Sequence, residues 1–323
     1  MTRMRTPYGG RLVACLLGVA WVSGVGWAQT SSAPSPSQPQ AAIPGVIAAG
    51  ATVEVVKADG FRGTLEGPVG TPDGGLYFCD IPANRIFRLD PHGAISVWRE
   101  NMNEPKALFL MKDGRLIVAE GSGQRVTAVM PDGHITVLAT GFRRPNDLIA
   151  DQKGGIYVTD SSLPGTEVMG LEAVYYIPPT GQRLLLDNTM LRPNGLTLSL
   201  DEKTLYVIDG NSEFAIYAYD VQPDGSVKNK RPFVKLRETQ QTPTGWRSGA
   251  DGMALDSQGR LYVTSSSGVQ VISPRGEYLG TIRLPASMRN LAFGGPDRKT
   301  LYLVGTALYR VQLLSEGPAE RTK

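Results

Sequence analysis

One short pattern recurs six times along this 323-residue chain, and its period constrains the fold more than any other feature. Each copy is a polar turn followed by an apolar pair that opens a β run. The copies read PDGGLYFCD (72–80), KDGRLIVAE (112–120), QKGGIYVTD (152–160), DEKTLYVID (201–209), SQGRLYVTS (257–265) and DRKTLYLVG (297–305). Their pairs begin at Leu76, Leu116, Ile156, Leu205, Leu261 and Leu301, at spacings of 40, 40, 49, 56 and 40 residues. That period is the length of a four-stranded propeller blade. A second β run precedes each turn: EGPVG, PKALFL, PNDLIA, PNGLTL, ADGMAL and RNLAFG. The chain is therefore expected to be all-β, a six-bladed β-propeller over residues 49–315. The run TVEVV (52–56) is expected to pair into the last blade beside 299–313 and close the ring.

The repeat aligns one position per blade, ten or eleven residues before each pair: Glu66, Lys106, Asn146, Asn194, Asp251 and Asn290. In a propeller these converge on the central axis. Five of the six carry a side-chain oxygen. Glu66, Asn194 and Asp251 offer two carboxylates and one amide oxygen, a set suited to Ca²⁺, Mg²⁺ or Mn²⁺ with water completing the shell. Zn²⁺ remains an alternative, although it normally takes His or Cys. A plainer reading exists, since Asn or Asp before Gly, as in PNG and ADG, is an ordinary turn signal. Coincidence of register in four blades favours a cluster, and buried carboxylates without a cation are costly.

Four residues past each pair stand Asp80, Glu120, Asp160, Asp209, Ser265 and Gly305. They should end second strands at the same mouth, either facing it or capping local turns. The two longer spacings mark insertions near 161–173 and 235–249, and both are expected to rim that mouth.

The N-terminus places Arg3, Arg5 and Arg11 before an apolar stretch from Leu12 to Trp27, with small residues after it. This reads as a secretory signal over 1–28, so the protein is expected to be periplasmic or secreted, with no membrane span once processed. Residues 29–48 are rich in Ser, Pro, Gln and Ala and read as a disordered linker, and 316–323 as a frayed tail. The chain has 33 basic and 30 acidic residues, and loss of the leader's three Arg brings the two to balance. Net charge thus gives no reason to expect a nucleic-acid partner. Of Cys15 and Cys79, only Cys79 would survive processing, so no internal disulfide is expected. His92 and His134 sit in or beside turns, which argues against a Ser-His-Asp or Cys-His nucleophile.

The segments EGPVGTPDGGLYFCDIPANRI, RRPNDLIADQKGGIYVTD, RPNGLTLSLDEKTLYVID and ADGMALDSQGRLYVTSSSGVQVISPRGEYLGTI resemble the regucalcin/gluconolactonase (senescence marker protein) family over roughly residues 60–312. The resemblance implies a six-bladed propeller with one divalent cation in its channel that hydrolyses sugar lactones. It implies Glu66 (EGP), Asn194 (PNG) and Asp251 (DGM) as metal ligands, with Asp251 also the general acid/base. It implies Asn146 (ND) and Arg144 as substrate contacts. The chain departs from the family at Lys106, where many members carry a small or neutral residue. That cation is expected to bind a substrate carboxylate or polarise a carbonyl, or else to pair with Glu120 or weaken metal binding. The wall loop SSLPG after Asp160 also departs, so substrate choice does not carry over. The expected function is metal-dependent hydrolysis of a lactone, with a non-catalytic binding propeller as the competing reading.

Overall fold

A computed structural model describes residues 38–319 apart from Pro164 and Thr244. The expected leader (1–28) with Cys15, the first part of the expected linker (29–37) and residues 320–323 lie outside the described residues. Among the described residues every regular element is a strand. The strands form six four-stranded antiparallel sheets and one small hairpin. Blade one runs Leu65–Gly70, Leu76–Asp80, Arg85–Leu89 and Ile95–Arg99. The innermost strands of blades two to six are Pro105–Leu110, Pro145–Ala150, Pro193–Leu198, Met253–Leu255 and Met288–Gly294. Each touches the next around the ring, and the sixth touches the first.

Burial explains the repeat. Second strands such as Leu76–Asp80 and Ile156–Asp160 are buried at every residue, because neighbouring blades cover both faces. The outer strand Ile95–Arg99 has no fully buried residue. Apolar clusters lie between blades: Val69, Tyr77 and Ile86 of blade one pack with Leu108, Leu116 and Val118 of blade two. The repeated turn has a local cause. In blade three Asp151 Oδ1 accepts from the backbone N–H of Lys153 at 2.9 Å and of Gly155 at 2.8 Å. Gly154 takes φ 87° between them, a conformation that other residues rarely adopt.

Ring closure follows the expectation. Glu54–Lys57 pairs antiparallel with Leu308–Gln312 as the outer strand of blade six. The N-terminal chain before it does not follow the expectation. Residues 38–48, which read as part of a disordered linker on composition, fold onto the fifth and sixth blades. Ile43, Val46 and Ile47 are buried among Val269, Val271, Leu313 and Tyr309. Gln40 donates to Arg283 O at 3.0 Å and accepts from Arg283 N–H at 2.8 Å. Ser, Pro and Gln around them masked three aliphatic side chains with a core to enter. The tail is likewise pinned at its start, where Ser257 N–H donates to Glu316 O at 2.8 Å and Gly317 N–H to Arg298 O at 2.8 Å.

A stability measurement separates the two views of this segment. Ile47→Ala is expected to cost roughly 2–4 kcal/mol in urea unfolding, the usual range for a buried Ile. A change near zero would return the segment to the disordered class.

Candidate active site

The sheet geometry delivers the aligned residues to the axis. Pairing of the innermost strand with the second slips at that position in several blades: after Glu66, after Pro105, after Pro145 and after Pro193. Such an irregularity re-aims a side chain. The glycines after Asn194 and Asp251 are not there for turns. A Cβ on Gly195 would lie 2.5 Å from Asp251 O, on the next blade. Gly195 N–H donates to that oxygen at 2.8 Å, and Gly252 N–H donates to Arg289 O at 2.8 Å on the blade after. Asp251 is thus held by backbone from both sides. Glycine here lets neighbouring blades approach, which corrects the turn reading of PNG and ADG.

Glu66, Lys106, Arg144, Asn146, Asn194 and Asp251 all line one cavity of about 240 Å³. Every expected site residue is therefore brought together. Asn290, the sixth aligned position, stands behind the lining and donates from Nδ2 to Glu66 Oε2 at 3.2 Å. A hydrogen-bond chain runs along the ring. Lys106 Nζ donates to Asn146 Oδ1 at 3.0 Å, and Asn146 Nδ2 donates to Asn194 Oδ1 at 2.5 Å. Asn194 in turn lies close enough to the Asp251 carboxylate to favour its anion. Arg289 Nη1 donates to Asp251 Oδ2 at 3.2 Å.

The electrostatics of the carboxylates suit a divalent cation. Glu66 is pushed up to about 8, first by burial and then by the nearby Asp251 and Asp147 carboxylates. Asp251 is also raised by burial, opposed by Arg289 and Arg192. Two half-buried carboxylates that resist ionisation together are relieved by a divalent ion between them. Glu66, Asn194 and Asp251 offer oxygens to the cavity, the chemistry of Ca²⁺, Mg²⁺ or Mn²⁺, beside the Lys106, Arg144, Arg192 and Arg289 cations. Lys106 is lowered to about 8 by burial and by Arg144.

Lys106 does not pair with Glu120. That carboxylate accepts from Thr127 Oγ1 at 2.7 Å and Arg125 Nη2 at 3.0 Å and is fully buried in its own blade. The other second-strand acids cap loops. Asp160 Oδ1 accepts from Arg144 N–H at 2.6 Å, and Asp209 Oδ1 accepts from Arg192 N–H at 2.9 Å. These acids fix the backbone of two mouth arginines instead of facing the cavity. His92 and His134 are exposed, as expected of turn residues. Cys79 is buried in Leu76–Asp80.

Of the two insertions, only the first reaches the cavity wall, through Ser161 and Ser162. Buried Glu172 shapes it by accepting from Ser162 N–H at 2.7 Å and Ser162 Oγ at 2.6 Å. The second insertion forms a hairpin, Gln240–Thr242 with Gly245–Arg247, and supplies no wall residue among those described. Sequence reading missed Arg192 and Arg289. Arg192 carried a signal, because RPN occurs at 144–146 and again at 192–194. Arg289 had none, since its blade lacks the proline.

Fold and cavity together define a six-bladed propeller with an oxygen-rich channel site. The chain belongs to the SMP-30/gluconolactonase/LRE-like family, whose model matches residues 65–307. It is 28% identical over 247 residues to the gluconolactonase of Zymomonas mobilis, covering 67% of this chain and 68% of that one. It is 28% identical over 244 residues to the regucalcin of Oryctolagus cuniculus, covering 71% and 78%. A gluconolactonase structure from Xanthomonas campestris superposes with a TM-score of 0.71 at 24% identity, over 88% of this chain and 96% of that one, which shows the fold alone.

Proposed function

We propose that this protein hydrolyses a sugar lactone with the help of one divalent cation, Ca²⁺ first among the candidates, held by Glu66, Asn194 and Asp251. The observation that carries the reading is the pair of half-buried carboxylates, Glu66 and Asp251, raised together beside a cavity that fits one small ring. A cation at those ligands supplies Lewis acidity toward the lactone carbonyl oxygen and toward the oxyanion. Asp251 accepts one proton from the attacking water as its oxygen bonds to the carbonyl carbon. The tetrahedral carbon then expels the ring oxygen, and the proton from Asp251 passes to that alkoxide, giving a hydroxy acid. Burial of Asp251 raises its basicity, which offsets part of the loss that a cation imposes on a ligand. Asn146 and Arg144 orient the ring hydroxyls. Glycines 195 and 252 keep Asp251 fixed while substrate binds.

The relatives' names agree with this class of reaction. The test is a panel of sugar lactones assayed with and without EDTA. EDTA is expected to bring hydrolysis to the uncatalysed rate, and added Ca²⁺ to restore it. Turnover that survives exhaustive chelation would sink the cation's role. A protein that binds Ca²⁺ and hydrolyses nothing would instead be the binding propeller. The leader reading extends the proposal to export, and N-terminal sequencing of envelope protein checks for a start near residue 29.

A further inference from the structure

The charges lining the cavity are segregated around the ring. Blades five, six and one hold Asp251 and Glu66, with Arg289 between them: it bonds Asp251 at 3.2 Å and is also favoured by Glu66. Blades two, three and four present Lys106, Arg144 and Arg192 to the same cavity, and no carboxylate among the described residues lines that half. Two of these cations have acids behind them. Glu104 Oε2 accepts from Arg144 Nε at 3.2 Å and Nη2 at 2.9 Å, and Glu167 Oε1 lies 3.8 Å from Arg192 Nε.

Lys106 is different. It is 8% exposed, and its ammonium bonds the neutral Asn146 Oδ1. No carboxylate lies within ion-pair distance of it among the described residues; Glu66, Asp251 and Glu104 attract it only from further off. An ammonium has three protons to donate, and burying one beside a guanidinium is costly without a counter-charge in contact. The fold does not require a cation there, because Asn fills the equivalent position on blades three, four and six. A counter-charge delivered by the ligand accounts for it. The cavity, about 240 Å³, is below the size range of drug-like pockets and suits a single sugar acid.

We propose that blades two to four form an anion subsite, and that the substrate is a lactone bearing a carboxylate remote from its ring ester. Lys106 takes that carboxylate, with Arg144 and then Arg192 following it around the arc. This rests on the lactone-hydrolase reading and goes beyond it by naming the substrate class. The carboxylate then lies across the channel from Asp251, and the ring ester is turned toward Glu66 and Asp251.

The test compares D-glucaro-1,4-lactone with D-glucono-1,4-lactone, which differ by a carboxylate in place of a hydroxymethyl group. With Ca²⁺ present, wild-type kcat/KM is expected to favour the acidic lactone at least ten-fold, and added salt to erode that preference. Lys106→Met should reduce the acidic-to-neutral ratio at least ten-fold, mainly through KM, and Lys106→Arg should recover most of it. Calorimetry supplies a readout independent of turnover: the metal-free protein should bind D-glucarate more tightly than D-glucitol, and Lys106→Met should remove the difference. Hydrolysis of both lactones at equal efficiency, with glucarate binding unchanged in Lys106→Met, overturns the anion subsite and leaves lactone hydrolysis standing. Glucarate binding through Lys106 without hydrolysis of either lactone supports the subsite and removes the hydrolase reading.

Discussion

Asp251→Asn is expected to lower kcat/KM for lactone hydrolysis by at least about 10³-fold, within the range that a positioned proton-transfer group contributes. The change is nearly isosteric but removes both the base and one cation-facing negative charge. It also leaves Arg289 without its carboxylate partner at 3.2 Å. The fold should persist, because Asp251 is held through backbone: Gly195 N–H bonds its carbonyl, and Gly252 N–H bonds Arg289 O. Neither bond involves the side chain. Asn also removes a half-buried charge that opposes Glu66. The metal-free variant should therefore melt no lower than wild type. Circular dichroism and thermal melts check the fold, and steady-state kinetics check the rate. Retention of more than about a tenth of wild-type kcat/KM is incompatible with proton transfer at Asp251.

The sequence was most legible where one physical cause repeats. The polar turn, the buried second strand and the ring position recur because every blade solves the same packing problem, so their alignment exposed both the fold and the lining residues. Legibility failed where a residue acts once. Ile43, Val46 and Ile47 lie in a Pro/Ser-rich context whose composition resembles a tether, yet a core surface waits for them between the last blades. Composition measures average hydropathy and cannot see a vacant apolar groove. Arg289 sits in a blade whose first strand lacks the Arg-Pro-Asn pattern of blades three and four, so that pattern did not point to it. The second-strand acids were visible, but their direction was not. Whether Asp160 and Asp209 face the channel or turn back to backbone N–H groups depends on how the preceding loop closes, which is a tertiary fact. The glycine after Asn194 reads as a turn until the neighbouring blade is placed 2.5 Å from its missing Cβ.

Glu66→Gln is expected to abolish the stabilisation by Ca²⁺ and to flatten the pH dependence of the metal-free protein. The folded-state value of about 8 lies above the ordinary 4.5, because burial and then Asp251 and Asp147 disfavour the anion. Between those values folded Glu66 keeps a proton that the unfolded chain has released. Its stabilising contribution is therefore complete below about 4.5 and is lost as pH rises to about 8. Asp251, raised in the same direction, adds to the trend from its own lower starting point. Metal-free wild type should thus melt at falling temperature as pH rises through this window. Cation binding needs the carboxylates ionised, so affinity for Ca²⁺ should rise over the same interval. At a concentration of 100 times Kd the ion contributes about 2.7 kcal/mol, which for a domain of this size raises Tm by roughly 5–10 °C. Gln keeps the volume and one oxygen but cannot titrate, so the variant should show only the smaller acid-side gain that Asp251 contributes, and no Ca²⁺-dependent rise. The measurement is a set of melts from pH 4.5 to 8 with EDTA or Ca²⁺, for wild type and Glu66→Gln. Identical Ca²⁺-induced shifts in the two proteins would remove Glu66 from the cation site, and a wild-type Tm that climbs with pH in EDTA would show that the buried pair ionises freely.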